Sequence, residues 1–265
     1  MPISLIPFTS GTLCFGNKWE ISDEPLLVKM VAEVLVGRTR HAQKVLEKLI
    51  PQLDDASTYR NKALNDAIKK LTVNVGDDPF HRDGLIFQIF SWITAHKMAD
   101  EFSIIASPHL IPAHKGFDGL QIDINTADNT VESIRIFEDK ATINPRDTIR
   151  EKVWPEFKDL YSGERESELE DQLSTLLSIK SHLIDDIDDT IETLIWNKAR
   201  KFRVAITAEN SHDSVRGIAR LFKGYDEIIP EDINFRQAEY ININNFRDWM
   251  DEFCDKVINL LESRK

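Results

Sequence analysis

Two acidic residues and a lysine are spaced as metal-dependent hydrolysis requires. Asp118 precedes a run in which apolar residues alternate, and Glu138 and Lys140 lie at the end of a second such run. Side chains two residues apart point to the same face of a strand, so each of these charges continues an apolar row. A buried charge without a partner is costly, and these groups must therefore be paired or bind a cation.

The same residues supply the parts of a hydrolytic site. The carboxylates of Asp118 and Glu138 are hard oxygen ligands of the kind that Mg²⁺ or Mn²⁺ prefers, and the main-chain carbonyl of Asp139 can add a ligand. Lys140 can orient the attacking water and offset phosphate charge. We therefore predict Asp118, Glu138 and Lys140 as catalytic residues, and Asp118, Glu138 and Asp139 as metal ligands. The alternative is a structural ion cluster between two strands.

Two strands must position these side chains. Alternating apolar residues predict strands over 117–124 and 131–141, and the intervening NTADNT has the composition of a hairpin turn. An antiparallel hairpin brings Asp118 and Glu138 side by side. Asn144 followed by Pro145 predicts that a helix begins directly after the second strand.

Helical spacing dominates the remainder of the chain. The first hundred residues predict four helices: one between a Ser22 cap and Gly37, one that Pro51 ends, one from near Ser57, and one over 84–98. Further on, the pattern predicts a long acidic helix or helix pair over 164–198, strands at FRVAITAE and 239–244, and a last helix from near Phe246. The predicted fold class is α+β or α/β. A helical amino-terminal region (1–79) packs on a core with a mixed sheet (80–265), and the sequence leaves open whether the two form a single domain.

The composition of the chain argues against several classes of protein. The 265 residues include 33 basic and 45 acidic ones, which gives a net charge of −12 and argues against nonspecific nucleic-acid binding by the chain alone, because such binding depends on Lys and Arg. Two cysteines cannot form a four-ligand zinc site or a disulfide framework. The amino terminus lacks the pattern of a signal peptide, and no apolar run is long enough to cross a membrane. These features predict a cytoplasmic protein.

The order helix, strand, strand, helix, strand around GFDG and FEDK resembles the PD-(D/E)XK nuclease superfamily, with Asp118 in the first motif and Glu138 and Lys140 in the second. The helical first half, FDGLQIDI and IRIFEDKA are similar to the HamA family, the nuclease subunits of the bacterial Hachiman anti-phage defence system. The specific part of the resemblance covers roughly residues 80–210. It implies a restriction-endonuclease-like core, a Mg²⁺-dependent DNA endonuclease, and a superfamily 2 helicase partner of the HamB type.

This resemblance leaves one metal ligand unassigned. Nucleases of the superfamily often carry another acid on the helix before the first core strand, whereas the predicted helix over 84–98 offers Gln88 on that face. Asp83, at the start of the helix, and Glu33, on an earlier helix, are the candidate substitutes.

Other motifs in the chain suggest other functions. HRDGLIFQ shares part of a protein-kinase catalytic loop, but Gln88 stands where that loop has Asn and no glycine-rich loop precedes it, which excludes a kinase. His109, His114 and Asp118 form an alternative set of metal ligands. The alternatives to a nuclease are a noncatalytic helicase-binding regulatory subunit with a degenerate nuclease fold and an acidic DNA mimic.

Net charge also predicts how a nuclease of this kind must work. An acidic chain makes few phosphate contacts, so we expect the isolated subunit to bind duplex DNA weakly and the helicase partner to supply most of the affinity. Arg200, Lys201 and Arg203 form a local basic cluster that is expected to guide a strand into the site.

Overall fold

A computed structural model describes residues 1–47, 61–100, 102–110, 117–125, 130–179, 191 and 199–265. Its strands are β1 (Ile3–Ser10), β2 (Cys14–Ile21), β3 (Ile104–Ile105), β4 (Gly119–Asn125), β5 (Thr130–Lys140), β6 (Arg200–Ala208) and β7 (Arg236–Asn242). Within these residues the seven strands form one mixed sheet in the order β1-β2-β7-β6-β5-β4-β3. The central strands β2, β7, β6 and β5 are parallel to one another, while β1 at one edge and β4 and β3 at the other pair antiparallel.

Helices cover both faces of the sheet. They are α1 (Glu24–Leu35), α2 (Thr39–Leu46), α3 (Asn61–Leu71), α4 (Phe80–Met98), α5 (Pro145–Thr148), α6 (Trp154–Ser162), α7 (Glu166–Ile179), α8 (Val215–Leu221), α9 (Tyr225–Ile228) and α10 (Phe246–Glu262). A π-helical segment (Ile149–Val153) joins α5 to α6. Helices α1 to α4 and α10 share one apolar core, and α6 to α9 share the core on the opposite face. The mixed α/β class is therefore confirmed.

The predicted hairpin is confirmed. β4 and β5 pair antiparallel from Gly119 opposite Phe137 to Asn125 opposite Thr130, with one irregularity at Asp123 and Ile124. The helix predicted after the second strand is also present, since α5 begins at Pro145. The strands predicted at FRVAITAE and 239–244 correspond to β6 and β7.

The helical amino-terminal region is wrong in one respect, because its first residues form a hairpin. β1 and β2 pair antiparallel, and Gly11 takes a positive φ of 55° in the turn between them. β2 then pairs in parallel with β7, from Phe15 opposite Gln237 to Trp19 opposite Ile241. The hairpin is thus an edge of the same sheet. Local helical spacing could not reveal it, since its stabilising neighbour lies far away in the chain.

The four predicted helices follow this hairpin with shifted ends. Asp23, one residue after the predicted cap, accepts a hydrogen bond from the main-chain N–H of Leu26 at 3.0 Å and begins α1. The predicted stop at Pro51, the start near Ser57 and the acidic segment beyond Ile179, apart from Ile191, lie outside the described residues. Among the described helices, none has both the length and the apolar character needed to span a bilayer.

Candidate active site

The end of the β4–β5 hairpin brings the three predicted catalytic residues together. Asp118 precedes β4, and the register of the hairpin places it beside the last residues of β5. The Nζ atom of Lys140 lies 3.4 Å from Oδ2 of Asp118 and forms an ion pair with Oε1 of Glu138. One ammonium group therefore contacts both carboxylates.

Burial and charge set the protonation of this cluster. Glu138 is 3% exposed, and burial, followed by the neighbouring charge of Asp118, raises its pKa well above the usual value. Burial by itself lowers the pKa of Lys140, but the carboxylates of Glu138 and Asp118 outweigh it, so the lysine pKa is raised. Lys140 is accordingly a cation at neutral pH. The two crowded acids favour any positive charge placed between them.

Main chain and helix α4 both hold the carboxylate of Asp118. Its Oδ2 accepts the main-chain N–H of Asp139 at 2.8 Å, and its Oδ1 accepts a short hydrogen bond from Nε2 of Gln88. The orientation of Asp118 is thus fixed from two directions. The helix face that often carries an acid in PD-(D/E)XK nucleases here carries an amide that donates to the first acid.

Neither predicted substitute for that acid lies with Asp118. Asp83 is fully buried, and its Oδ1 accepts from Arg82 at 2.9 and 2.7 Å while its Oδ2 accepts from Arg247. Glu33 is also buried and pairs with Arg38 and Arg264 at 3.2 and 3.1 Å. Both acids have arginine partners of their own, so the structure assigns neither of them to the site.

The carboxylate of Asp139, whose carbonyl was predicted as a ligand, faces away from Glu138. Its Oδ1 accepts a hydrogen bond from the Ser91 hydroxyl on α4 at 2.7 Å. Burial raises the pKa of Asp139 to about 7, although Arg203 acts in the opposite direction. The main chain of Asp139 lies on the site, and its side chain is anchored beneath the sheet.

A buried ionic network, which the sequence did not predict, continues from that anchor. Arg203 and Glu239 are both fully buried and meet at 2.7 Å. Arg203 also donates to the hydroxyls of Ser91 and Thr94, each at 2.9 Å. The network links the centre of the sheet to α4, and through Ser91 to the segment that holds Asp118.

The basic cluster predicted to guide a strand is contradicted by this network. Arg203 is 0% exposed, and Arg200 is buried with its guanidinium donating to the Leu160 carbonyl and to Glu166. β6 is a central strand of a sheet covered on both faces, so the two arginines pair internally, and only Lys201 of the predicted cluster is partly exposed. Neither arginine is accessible to DNA.

A cleft of about 720 Å³ opens beside the cluster. Asp118, Asp139 and Lys140 line it together with the start of α4 and the segment after β5. Its volume lies within the usual range for small-ligand sites. His109 also lines the cleft, while His114, from the alternative ligand set, lies outside the described residues.

The oxygen atoms at this position fit a hard divalent cation with few protein ligands. No group of three or more His, Cys, Asp or Glu side chains in the described ranges is arranged to hold a metal. Asp118 and Glu138 nevertheless share one cationic partner in Lys140, which shows that a single positive charge can serve both. Two carboxylates and the carbonyl of Asp139 suit Mg²⁺, because this ion keeps several waters.

Comparisons with protein-family models, with curated proteins and with solved structures find no match for this chain. A function for this chain is therefore inferred from the chemistry of the site and the resemblance of its motifs.

Proposed function

We propose that this chain is the metal-dependent DNA nuclease subunit of an anti-phage defence complex of the Hachiman type, acting with a superfamily 2 helicase. The observation that carries the proposal is the contact of Lys140 with both Asp118 and Glu138 beside an open cleft. The meeting of these three side chains supports the resemblance of the GFDG and FEDK motifs to those of PD-(D/E)XK nucleases. The motif resemblance supplies the class of substrate and the partner.

Each residue has a role that its environment supports. Asp118 and Glu138, with the carbonyl of Asp139, would hold Mg²⁺ or Mn²⁺. When bound, such an ion supplies Lewis acidity and lowers the pKa of water. Lys140 orients the attacking water and stabilises the negative charge that develops on the phosphate. Gln88 and the N–H of Asp139 keep the Asp118 carboxylate in position.

A double change at the site tests the assignment. We expect Glu138→Ala with Lys140→Ala to abolish DNA degradation by the chain reconstituted with its helicase partner in Mg²⁺, and EDTA to abolish degradation by the wild type. Glu132→Ala with Lys223→Ala is a matched control, since it removes the same charges at exposed positions that do not line the cleft. Unchanged cleavage by the Glu138 and Lys140 variant would refute the nuclease assignment.

A second candidate is a noncatalytic helicase-binding regulatory subunit with a degenerate nuclease fold. The observation in its favour is that Lys140 pairs with both acids, which gives the cluster a structural role as an ion network between two strands. The two functions differ in the melting behaviour of Glu138→Ala. Removing one member of a structural buried ion cluster should cost about 3–5 kcal/mol.

At a metal site the same change should cost little in EDTA, because it relieves the repulsion between Glu138 and Asp118. It should also remove any stabilisation of the wild type by Mg²⁺, since ligands stabilise only the state that binds them. A large loss of stability in EDTA, with no Mg²⁺ effect on the wild type, would favour the regulatory subunit.

Weak duplex binding by the isolated chain is the second expectation of the proposal. The net charge of −12 opposes phosphate binding, and the burial of Arg200 and Arg203 removes two members of the predicted basic cluster from the surface. A titration of labelled duplex at physiological salt should show much tighter binding by the complex than by the chain alone. Tight binding and rapid cleavage by the chain alone would show that the acidic surface is no barrier.

A further inference from the structure

An exposed aromatic ring stands at the edge of the candidate active-site cleft. Phe80 begins α4 and is 58% exposed, although it lines the same cleft as Asp118 and Lys140. Ile143, which is 49% exposed, lines the cleft as well. Exposed apolar side chains are unremarkable when scattered singly, but two of them flanking a polar cleft indicate a ligand with an apolar surface.

The Phe80 ring is held in place by a cation that also lines the cleft. The guanidinium carbon of Arg247 lies 4.9 Å from the ring centre. Arg247 is itself fixed, because it donates to the fully buried carboxylate of Asp83, which also accepts from Arg82. An arginine stacked on an aromatic ring costs little further ordering when a ligand arrives. The ring is therefore preorganised at the cleft, and the residue remains 58% exposed.

We propose that Phe80 stacks on an unpaired base, so that the substrate entering the cleft is a single strand of DNA. This inference rests on the nuclease function proposed above and specifies its substrate. A nucleobase has the flat apolar face that an exposed ring accepts, and in a duplex that face is already covered by its neighbours. Arg247, beside the ring, supplies positive charge for the adjoining phosphate.

Stacking also answers the difficulty posed by the acidic chain. Phosphate contacts weaken steeply as salt rises, whereas base stacking on an aromatic ring does not depend on counterion release. A chain with a net charge of −12 can thus hold a strand through its bases. The bases of a helicase-opened strand are accessible to such a ring, and those of a closed duplex are not.

Binding of two labelled strands to the full-length chain tests the proposal. One is a homothymidine strand and the other an abasic strand with the same number of phosphates, both measured by fluorescence anisotropy in EDTA so that neither is cut. Phe80→Ala should weaken binding of the homothymidine strand about 5- to 150-fold, which corresponds to the roughly 1–3 kcal/mol of one stacked base. Binding of the abasic strand should not change.

Three further variants isolate the aromatic ring as the cause. Phe80→Tyr should retain wild-type affinity, while Phe80→Leu should behave like Phe80→Ala, because leucine is apolar but has no π-face. Phe102→Ala is the matched control, since Phe102 is also exposed, at 37%, but does not line the cleft. All variants should stay folded at the assay temperature, because both side chains are partly exposed and neither belongs to an apolar core.

Equal losses for the two strands, full affinity in Phe80→Leu, or no measurable binding of the homothymidine strand by the wild type would each overturn the proposal. Because these measurements need no metal, they do not depend on cleavage. A strand that binds through Phe80 but is never cut by the complex would overturn the nuclease function and leave the stacking site standing.

Discussion

Replacing Arg203 with methionine removes the positive charge from the centre of the sheet. Methionine keeps much of the aliphatic stem, but the fully buried Glu239 carboxylate loses the partner that lies 2.7 Å away. Its other donors, among them Nε1 of Trp19 at 2.7 Å, are neutral. Leaving one member of a buried ion pair without the other costs about 3–5 kcal/mol, a large part of the roughly 5–15 kcal/mol that stabilises a typical domain.

The expected loss of stability comes from the Glu239 carboxylate left without a cation. The lost hydrogen bonds from Arg203 to the Ser91 and Thr94 hydroxyls contribute less. Ser91 still donates to Asp139, and Thr94 still donates to the carbonyl of Ser91. The double change Arg203→Met with Glu239→Gln removes both charges. The side-chain oxygen of the glutamine can still accept the hydrogen bond from the Trp19 N–H. We expect the double variant to lie within about 1–2 kcal/mol of the wild type, and so to be about 2–3 kcal/mol more stable than Arg203→Met alone.

Urea denaturation followed by tryptophan fluorescence measures the free energy of unfolding of four proteins. They are the wild type, Arg203→Met, Glu239→Gln and the double variant. Lys201→Met, a neighbouring change on the same strand at a partly exposed position, serves as the control and should stay within about 0.5 kcal/mol of the wild type. A loss of less than about 1 kcal/mol for Arg203→Met, or additive losses in the double variant, would refute the account of a charge pair that is costly to break.

Two further predictions concern close packing. A Cβ at Gly16 would lie 1.7 Å from the main-chain oxygen of Ala238, so Gly16→Ala must open the pairing of β2 with β7, and it should lower the free energy of unfolding by about 3 kcal/mol or more. Gly84→Ala on α4, where nothing lies within 4 Å, should instead raise it by about 0.5–1 kcal/mol; a similar response of both variants in thermal melts would contradict the packing. Burial raises the pKa of Cys14 and of Cys254 to about 12, so both thiols should resist a thiol reagent at pH 8 until urea unfolds the chain, and rapid labelling of the native protein would contradict their burial.

The hairpin that carries Asp118 and Glu138 is predictable because its pairing is local. Alternation along two neighbouring runs gives both the strands and the shared faces of their side chains, and the turn composition gives their connection. The contact of Lys140 with both acids follows from that parity. The order of the sheet does not follow, since β2 pairs with β7 across most of the chain and no local pattern encodes that choice.

Arg203 shows why a charged residue in a sequence cannot be assumed to lie on the protein surface. FRVAITAE suggests a strand with a basic start, and only the parallel neighbours on both sides make β6 a central strand. The available signal was a second charge, Glu239, in an equally apolar run. Opposite charges in two apolar strands predict a buried ion pair only if the two strands are adjacent. Whether they are adjacent depends on the order of the sheet, which the local sequence does not give.

The pairing of β2 with β7 cannot form until nearly the whole chain has been synthesised. Trp19 and Glu239, which meet in the buried network, are 220 residues apart, and a ribosome needs roughly 10–45 s to cover that length at about 5–20 residues per second. Until β7 emerges, Arg203 has no carboxylate to pair with and β2 has an open edge. A chain whose synthesis stops early therefore keeps an unpaired charge in its centre and is exposed to proteolysis. For the nuclease proposed above, only chains translated through β7 would persist, which limits a toxic activity to complete molecules.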